Sequence, residues 1–429
     1  MLPEFLYLCS RNTITESTIK MIKRATIMLL VAVMTAATAS GSVGKRHLVP
    51  VAPDSSDFVR ASVMYFSPLN NFESILGHCA LHMECPSEGL DYIFGLAEIY
   101  NTEGWRHLLG HYRVLMTREE TKSIMSLYKS EGRQAVEWPL NLSHHEKQRL
   151  WMLLDKEAAK LSGGHFSLIN SNCTSAVFHA LERCTIGEYL DLGDRQGPIA
   201  MSQGDYLRWM FRDSPWYLFL VETLGGDRFD KSDPVEHITC TELMIPILQQ
   251  AMLRSPDGAD SATARPLLIG THEELLPKVA QFYTSTITPV MVFSALLVLT
   301  VLVTLLEWFL HQRAVALWFD RVLFAVYALW AVVVLWLAVV GFTIADARWN
   351  WYLIPFNLIP VVIWACRRKR PDYRRVFLLY ALVLTLFLLA SPLSSQIDLA
   401  HQLITSALAI RCYSVYFQFK RSLLKSKKL

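Results

Sequence analysis

The last third of the chain is a series of apolar segments, which restricts the fold more than any other feature. A membrane-spanning helix needs about 20 mostly apolar residues, and from residue 287 onwards such stretches follow one another. They comprise residues 287–310, 322–345, 352–366, 376–391 and 399–417. The third segment is short and contains two prolines, and the fifth is less apolar than the others. We therefore predict an α-helical membrane domain of about five spans over residues 286–429.

Basic residues predict the orientation of these spans. Basic residues follow the first span, in His311-Gln312-Arg313, and Lys and Arg cluster between the third and fourth spans and at the end of the chain. Cytoplasmic loops carry an excess of such residues, and five spans put all three clusters on the cytoplasmic side if residues 41–285 lie outside. An even number of spans would misplace one cluster. We expect a multi-pass protein of the bacterial inner membrane, and the formal net charge of +3 is too small to indicate a nucleic-acid partner.

The N-terminal segment has the pattern of a secretory signal. Lys23 and Arg24 precede an apolar core over residues 25–34, and Ala37 and Ala39 form an A-x-A-like cleavage site. The polar stretch before this pattern favours Met21 as the true start. An uncleaved signal anchor is the alternative for residues 1–40. Either way, we expect residues 41–285 to be exported.

The exported region has the pattern of an α+β domain. Alternating residues predict strands over 61–66, 77–83 and 91–95. Ser143 and Glu146 predict a capping box at the start of a helix that runs to about residue 158. A helix-rich tail includes residues 206–216, and residues 254–268 have the composition of an exposed loop.

A cysteine at a predicted helix start is the first candidate for chemistry. Asn172-Cys173-Thr174-Ser175 precedes apolar residues at helical spacing. The helix dipole and the free N–H groups of a first helical turn favour a thiolate, which is the nucleophilic form of cysteine. Cys173 is therefore the candidate nucleophile, with Asn172 and Thr174 beside it and its own backbone N–H as an oxyanion donor.

A thiol nucleophile needs a base within reach, and the best candidate is His78. It follows Gly77 on a predicted strand, and glycine lets a substrate approach the backbone closely. Cys79 points to the opposite face and is expected in the core, whereas His82 shares the face of His78 and is the reserve base.

A catalytic histidine is usually oriented by a third residue. Asp91 opens the next strand and could bond the distal ring nitrogen of His78, and Tyr92 is a weaker alternative. Neither the histidines nor the cysteines show metal-ligand spacing, so we expect no metal and no cofactor. In an exported domain some of Cys79, Cys85, Cys184 and Cys240 could form disulfides, with no pairing favoured.

The order of these motifs resembles a known family. A histidine strand before a cysteine helix is similar to the circularly permuted papain-like fold of relatives of NlpC-type peptidases and lecithin:retinol acyltransferase. More closely, the chain resembles the Lnb family of bacterial lipoprotein N-acyltransferases. The matching stretches are residues 76–81, 91–95, 140–143 and 166–174, with Asn350 to Pro355 and Asn357 resembling the outer-loop motif of the family.

The resemblance implies a ping-pong acyl transfer. Cys173 would take an acyl chain from a phospholipid as a thioester and pass it to the N-terminal amine of a diacylglyceryl-cysteine lipoprotein, with Asn350 near the substrate. Two alternatives remain open from the residues alone. One is a membrane-tethered cysteine peptidase or amidase that acts on cell-wall peptides, and the other is a non-catalytic envelope protein.

Overall fold

The computed structural model describes residues 59–69, 74–99, 106, 108–160, 163–168, 170–193, 201–230, 241–255, 264–279, 285–361 and 375–426. The predicted signal segment, residues 1–40, lies outside these ranges. The described residues fall into two compact units, one within residues 50–358 and 381–411 and the other within residues 359–380 and 412–426. The larger unit contains both sheets and the candidate active site, and the smaller unit includes parts of the last two helices.

A seven-stranded antiparallel sheet is the centre of the exported domain. Its order is β10-β5-β1-β2-β3-β4-β6. The strands are β1 (Arg60–Phe66), β2 (His78–Cys85), β3 (Leu90–Ile99), β4 (Arg113–Glu120), β5 (Ala135–Pro139), β6 (Gly164–His165) and β10 (Glu273–Leu276). The three predicted strands are confirmed as β1, β2 and β3.

Helices cover both faces of this sheet, because each strand directs alternate side chains to opposite sides. One face packs against α2 (His144–Ala158) and α3 (Cys173–Cys184). The buried side chains between them include Val63, Cys79, Leu81 and Phe94 of the sheet and Trp151 and Phe178 of the helices. The other face packs against α1 (Thr121–Ser130) and buries Met64, Phe66, Ala80 and Ile93. The prediction of an α+β domain is confirmed.

Local sequence sets the helix starts. The predicted capping box of α2 is present, since the backbone N–H of Ser143 donates to Glu146 at 2.8 Å and the Ser143 hydroxyl accepts from the Glu146 N–H. The helix-rich tail consists of α4 (Gln203–Met210), α5 (Pro215–Gly225), which starts at a proline, and α6 (Met244–Gln250). A small sheet has the order β7 (Tyr189–Asp191), β8 (Met252–Arg254), β9 (Arg265–Pro266). Part of the predicted loop is therefore strand.

Four long helices follow: α7 (Pro289–Phe309), α8 (Arg313–Ile344), α9 (Arg375–Ala390) and α10 (Leu399–Ser426). Within the described ranges, three segments are long and apolar enough to span a membrane, namely Pro289–Phe309, Arg313–Ile344 and Arg375–Leu393. The fifth predicted span falls on α10, which is long but less apolar. The third begins with a short 3-10 helix at Trp351–Leu353, and its residues 362–366 lie outside the description.

A buried ionic cluster joins three of these helices. Arg411 of α10 is fully buried, and its guanidinium lies 2.6 and 2.9 Å from the two carboxylate oxygens of Asp320 on α8. The same group donates to Glu307 of α7 at 3.1 Å and to Thr304 at 2.9 Å. A charge in an apolar bundle requires partners of this kind, so the cluster fixes how the helices associate.

Candidate active site

Cys173 is the first residue of α3, as the sequence predicts. The side-chain oxygen of Asn172 accepts hydrogen bonds from the backbone N–H groups of Thr174 at 3.1 Å and Ser175 at 3.0 Å. The Ser175 hydroxyl accepts from the Asn172 N–H at 3.0 Å and completes a capping box. These bonds satisfy first-turn donors, and they fix the backbone that carries the thiol.

The surroundings of the Cys173 thiol have opposing effects on its pKa. Burial raises the pKa of Cys173, whereas hydrogen bonds from the backbone N–H of Cys79, from Thr174 and from the Cys173 N–H itself lower it. Burial prevails, so the pKa lies above its ordinary value. The helix start alone predicts a thiolate, but desolvation of the half-buried sulfur outweighs that effect. Cys173 therefore needs a base.

His78 is the first residue of β2 and is half-buried. Its ring stacks on Phe66 with a centroid separation of 6.1 Å. A Cβ atom at Gly95 would lie 2.8 Å from Nε2, so the imidazole occupies space that only glycine leaves free. Burial and then the charge of Arg133 lower the pKa of His78 to about 4. At neutral pH the ring is uncharged and can accept a proton.

The start of β2 lies against the sulfur of Cys173. The Cys173 sulfur contacts the backbone N–H of Cys79, which follows His78 on the strand. The side chain of Cys79 points away into the core, as predicted, where its thiol donates to the sulfur of Met244 at 3.5 Å. Burial raises the pKa of Cys79 well above its usual range, so this thiol is inert.

Arg133 is a site residue that sequence reasoning missed. Its side chain is buried, its Nε donates to the carbonyl of Ser67 at 2.9 Å, and its guanidinium lies 4.5 Å from the ring centre of Tyr128. Its charge acts on both His78 and Cys173. Nothing in the sequence around Arg133 signals this role, because the Ser67 carbonyl that it bonds lies 66 positions earlier in the chain.

A cavity of about 260 Å³ opens beside the imidazole. Arg133 and His78 line it together with Phe66, Gly95, Thr117 and Tyr128. The walls are therefore part apolar and part polar, with a buried positive charge. Such a cavity suits a ligand that has an apolar portion and a polar group.

His82 and Asp91 form a separate pair. The Nε2 atom of His82 lies 2.8 Å from a carboxylate oxygen of Asp91, and Nδ1 lies 2.7 Å from Glu137. Burial lowers the pKa of His82, but the two carboxylates outweigh burial and raise it to about 8. The prediction that Asp91 bonds the distal nitrogen of His78 is wrong, because the register of β2 and β3 brings Asp91 opposite Glu84, six residues along the strand from His78.

Tyr92 does not assist His78 either. It packs against Trp151 and lies beneath the guanidinium of Arg118, on the face of the sheet opposite the imidazole. Gly77 keeps its predicted place before His78, with a φ of 71° that favours glycine.

Two family matches cover most of the chain. Residues 54–203 match the family described as the Lnb N-terminal periplasmic domain, and residues 281–422 match the Lnb transmembrane domain. The chain belongs to the Lnb family. The predicted resemblance is thereby confirmed, and the protein has a periplasmic domain and a transmembrane region. No curated protein and no solved structure matches the chain.

Within this Lnb protein, both His78 and Cys173 fall in the periplasmic-domain match, and Asn350 falls in the transmembrane match. Asn350 is buried, and its amide donates to the Thr223 carbonyl at 2.6 Å and accepts from Tyr352 and Gln396 at 3.0 Å. The residues that line the cavity do not include it. Its polar groups are therefore used to join the segment after α8 to α5.

No group of three or more His, Cys, Asp or Glu side chains is arranged to hold a metal ion within the described ranges. The cysteines there that form no disulfide are Cys79, Cys85, Cys173, Cys184 and Cys412. Three of the four cysteines suggested for disulfides thus form none, and Cys240 lies outside the description. Cys173 and Cys184 occupy the two ends of one continuous helix, which keeps them apart.

Proposed function

We propose that this protein is a thiol-dependent N-acyltransferase of the bacterial inner membrane, with its catalytic domain on the periplasmic face. It moves an acyl chain from a phospholipid to the N-terminal amine of diacylglyceryl-cysteine lipoproteins. The observation that carries the proposal is the contact between the Cys173 sulfur and the strand end that carries the neutral base His78. The order of histidine strand and cysteine helix supports a permuted papain-like arrangement.

In the first half-reaction His78 takes the proton of the Cys173 thiol. The thiolate attacks the ester carbonyl carbon of the phospholipid, and the positive charge of Arg133 and the Cys173 N–H stabilise the oxyanion. The acyl C–O bond then breaks, and the lysophospholipid oxygen takes the proton from the imidazolium. The products are a thioester on Cys173 and neutral His78.

In the second half-reaction the lipoprotein amine attacks the thioester carbonyl. His78 takes the proton that the amine nitrogen loses, the C–S bond breaks, and the proton returns to the Cys173 thiolate. The amide product leaves and the enzyme returns to its starting state. No cofactor enters the balance of either step.

Proximity to the bilayer supports lipid substrates over cell-wall peptides. The backbone N–H of Leu168 donates at 2.9 Å to the carbonyl of Ile344, the last residue of the apolar helix α8. Cys173 follows Leu168 by five positions, which limits its distance from that residue to about 17 Å of extended chain. A thiol near the end of a spanning helix is close to the level of phospholipid ester groups.

The test uses cells in which this protein supplies lipoprotein N-acylation. Cys173→Ala and His78→Ala should each abolish N-acylated peptides in mass spectra of lipoprotein N-termini, a loss of at least ~10³-fold by analogy with other nucleophile–base pairs. His179→Ala is the matched control, because His179 is exposed on the same helix as Cys173. Unchanged N-acylation in both site variants would overturn the proposal.

A further inference from the structure

The segment before the nucleophile is bonded directly to the periplasmic end of α8. We name residues 165–168 and 170–172 the nucleophile loop. Nε2 of His165 donates to the Thr343 carbonyl at 2.7 Å, and the Leu168 N–H donates to the Ile344 carbonyl. Both acceptors lie in the last turn of α8, so main-chain atoms of a membrane helix hold one end of the loop.

Asp346 holds the other part of the loop. One of its carboxylate oxygens accepts from the Ser167 hydroxyl at 3.2 Å and from the Asn170 side-chain amide at 3.0 Å. Ser167 and Ser171 pair through their backbones, and the Asn172 amide donates to Leu168 at 3.2 Å. The Asp346 carboxylate is therefore linked to the start of α3 through two contacts. It bonds Ser167, and Ser167 pairs with Ser171, the residue before the helix cap Asn172.

The backbone of Asp346 is itself in an unusual conformation. Its φ is 51°, in the left-handed region that L-residues other than Asn and Asp rarely adopt. Arg228 stabilises it, because Nε donates to the carbonyls of Ala345 at 2.8 Å and Asp346 at 3.2 Å. This turn aims the carboxylate back at the loop. Strained residues of this kind occur where a function constrains the backbone.

The end of α8 is held by periplasmic helices as well. Gly341 packs so closely on α5 that a Cβ atom would collide with the Leu224 carbonyl. Asp227 bonds the next segment through its N–H to the Trp349 carbonyl at 2.8 Å, and its carboxylate accepts from the Arg348 N–H at 2.7 Å. These contacts fix the backbone on both sides of Asp346, so the residue that bonds the nucleophile loop is itself held in place.

We infer that Asp346 is a positioning residue that holds the nucleophile loop, and through it Cys173, in register with His78. The membrane domain then completes the active site as well as tethering it. This inference rests on the proposed function, because it assigns Asp346 a role in placing the same catalytic thiol. The contacts themselves are independent of the reaction that the thiol performs.

Three substitutions of Asp346 separate the effect of losing its carboxylate from the effect of changing its backbone conformation. Asp346→Asn keeps an acceptor oxygen and tolerates the left-handed region, so it should stay within ~3-fold of wild type. Asp346→Gly permits the backbone but removes the acceptor. Asp346→Ala removes the acceptor and strains the backbone. Asp213→Ala, at an exposed carboxylate outside the loop and α8, is the control.

The experiment uses full-length protein in detergent and reads three quantities. The first is the rate at which iodoacetamide alkylates Cys173 as a function of pH, measured on the Cys173 peptide by mass spectrometry. The others are the kcat and KM of acyl transfer and the melting temperature. We expect Asp346→Gly to reduce kcat at least ~10-fold and to alter the alkylation profile while the melting temperature changes little. Asp346→Ala should also melt lower.

A double-mutant cycle tests the contact itself. Asn170→Ala should reproduce part of the effect of Asp346→Gly, and the two together should cost no more than Asp346→Gly alone. Wild-type alkylation and kcat in Asp346→Gly would overturn the inference, as would losses in all variants that merely follow melting temperature. If wild type itself transfers no acyl chain, the proposed function fails, and the alkylation data still decide the role of Asp346.

Discussion

Replacement of Asn172 by alanine should destabilise the start of α3 by an amount that the structure allows us to estimate. Its side-chain oxygen accepts from two N–H groups, and loss of a helix cap of this kind costs about 1 kcal/mol. Its amide also donates to the carbonyl of Leu168, and leaving that acceptor without a partner costs about 1 kcal/mol more. A total of about 2 kcal/mol corresponds to a fall of about 4–8 °C in melting temperature for a domain of this size.

The assay is thermal unfolding of the full-length protein in detergent, together with iodoacetamide labelling of Cys173. Asn172→Asp keeps the acceptor oxygens of the cap but loses the donor to Leu168, so it should recover about half of the stability. Its carboxylate should slow labelling at neutral pH, because a negative charge next to the sulfur raises the thiol pKa.

Ser143→Ala is the matched control for this experiment, since Ser143 caps α2 in the same way. It should lower the melting temperature without changing the labelling of Cys173. The reasoning is refuted if Asn172→Ala melts within about 1 °C of wild type, or if Asn172→Asp is as unstable as Asn172→Ala.

Three further predictions concern stability, each measured as a melting temperature in detergent. Gly341→Ala should destabilise the protein by about 1–3 kcal/mol through overpacking, although alanine is usually preferred to glycine in a helix. Gly164→Ala is the control and should have little effect, because Gly164 has open space around it. A melting temperature of Gly341→Ala at or above that of wild type contradicts this prediction. The pKa of His82 is raised to about 8 in the folded state, so its stabilisation is complete below about pH 6.5 and is lost as pH rises through 8. His82→Gln should flatten that slope, and an unchanged slope would show that another group is responsible. Arg411→Met removes the guanidinium that Asp320 and Glu307 share and should cost about 3–5 kcal/mol, which wild-type stability of the variant would disprove.

Local patterns in the sequence predicted the elements that form locally. The alternation in β1 to β3, the capping box of Ser143 and the helix start at Cys173 depend on residues a few positions apart, and the structure confirms them. The helical span 322–345 was also found, although α8 begins earlier, at Arg313, because charged residues interrupt the apolar pattern of its first turns.

Features that depend on pairing between distant segments could not be predicted. Asp91 bonds His82 because of the register between β2 and β3, which hydrophobic alternation does not specify beyond the face of the strand. Arg133 reaches His78 only because β5 pairs with β1, and Asp346 reaches the nucleophile loop across about 175 residues. Sequence patterns also could not show that burial would outweigh the helix dipole at Cys173.

A protonated Cys173 resists oxidation. The periplasm is an oxidising compartment, and the thiolate is the form of cysteine that peroxides and disulfides attack. Because burial keeps the thiol protonated at rest, Cys173 is protected until a neighbouring base removes its proton. A half-buried sulfur with a raised pKa can therefore remain reduced among the free thiols of an exported domain.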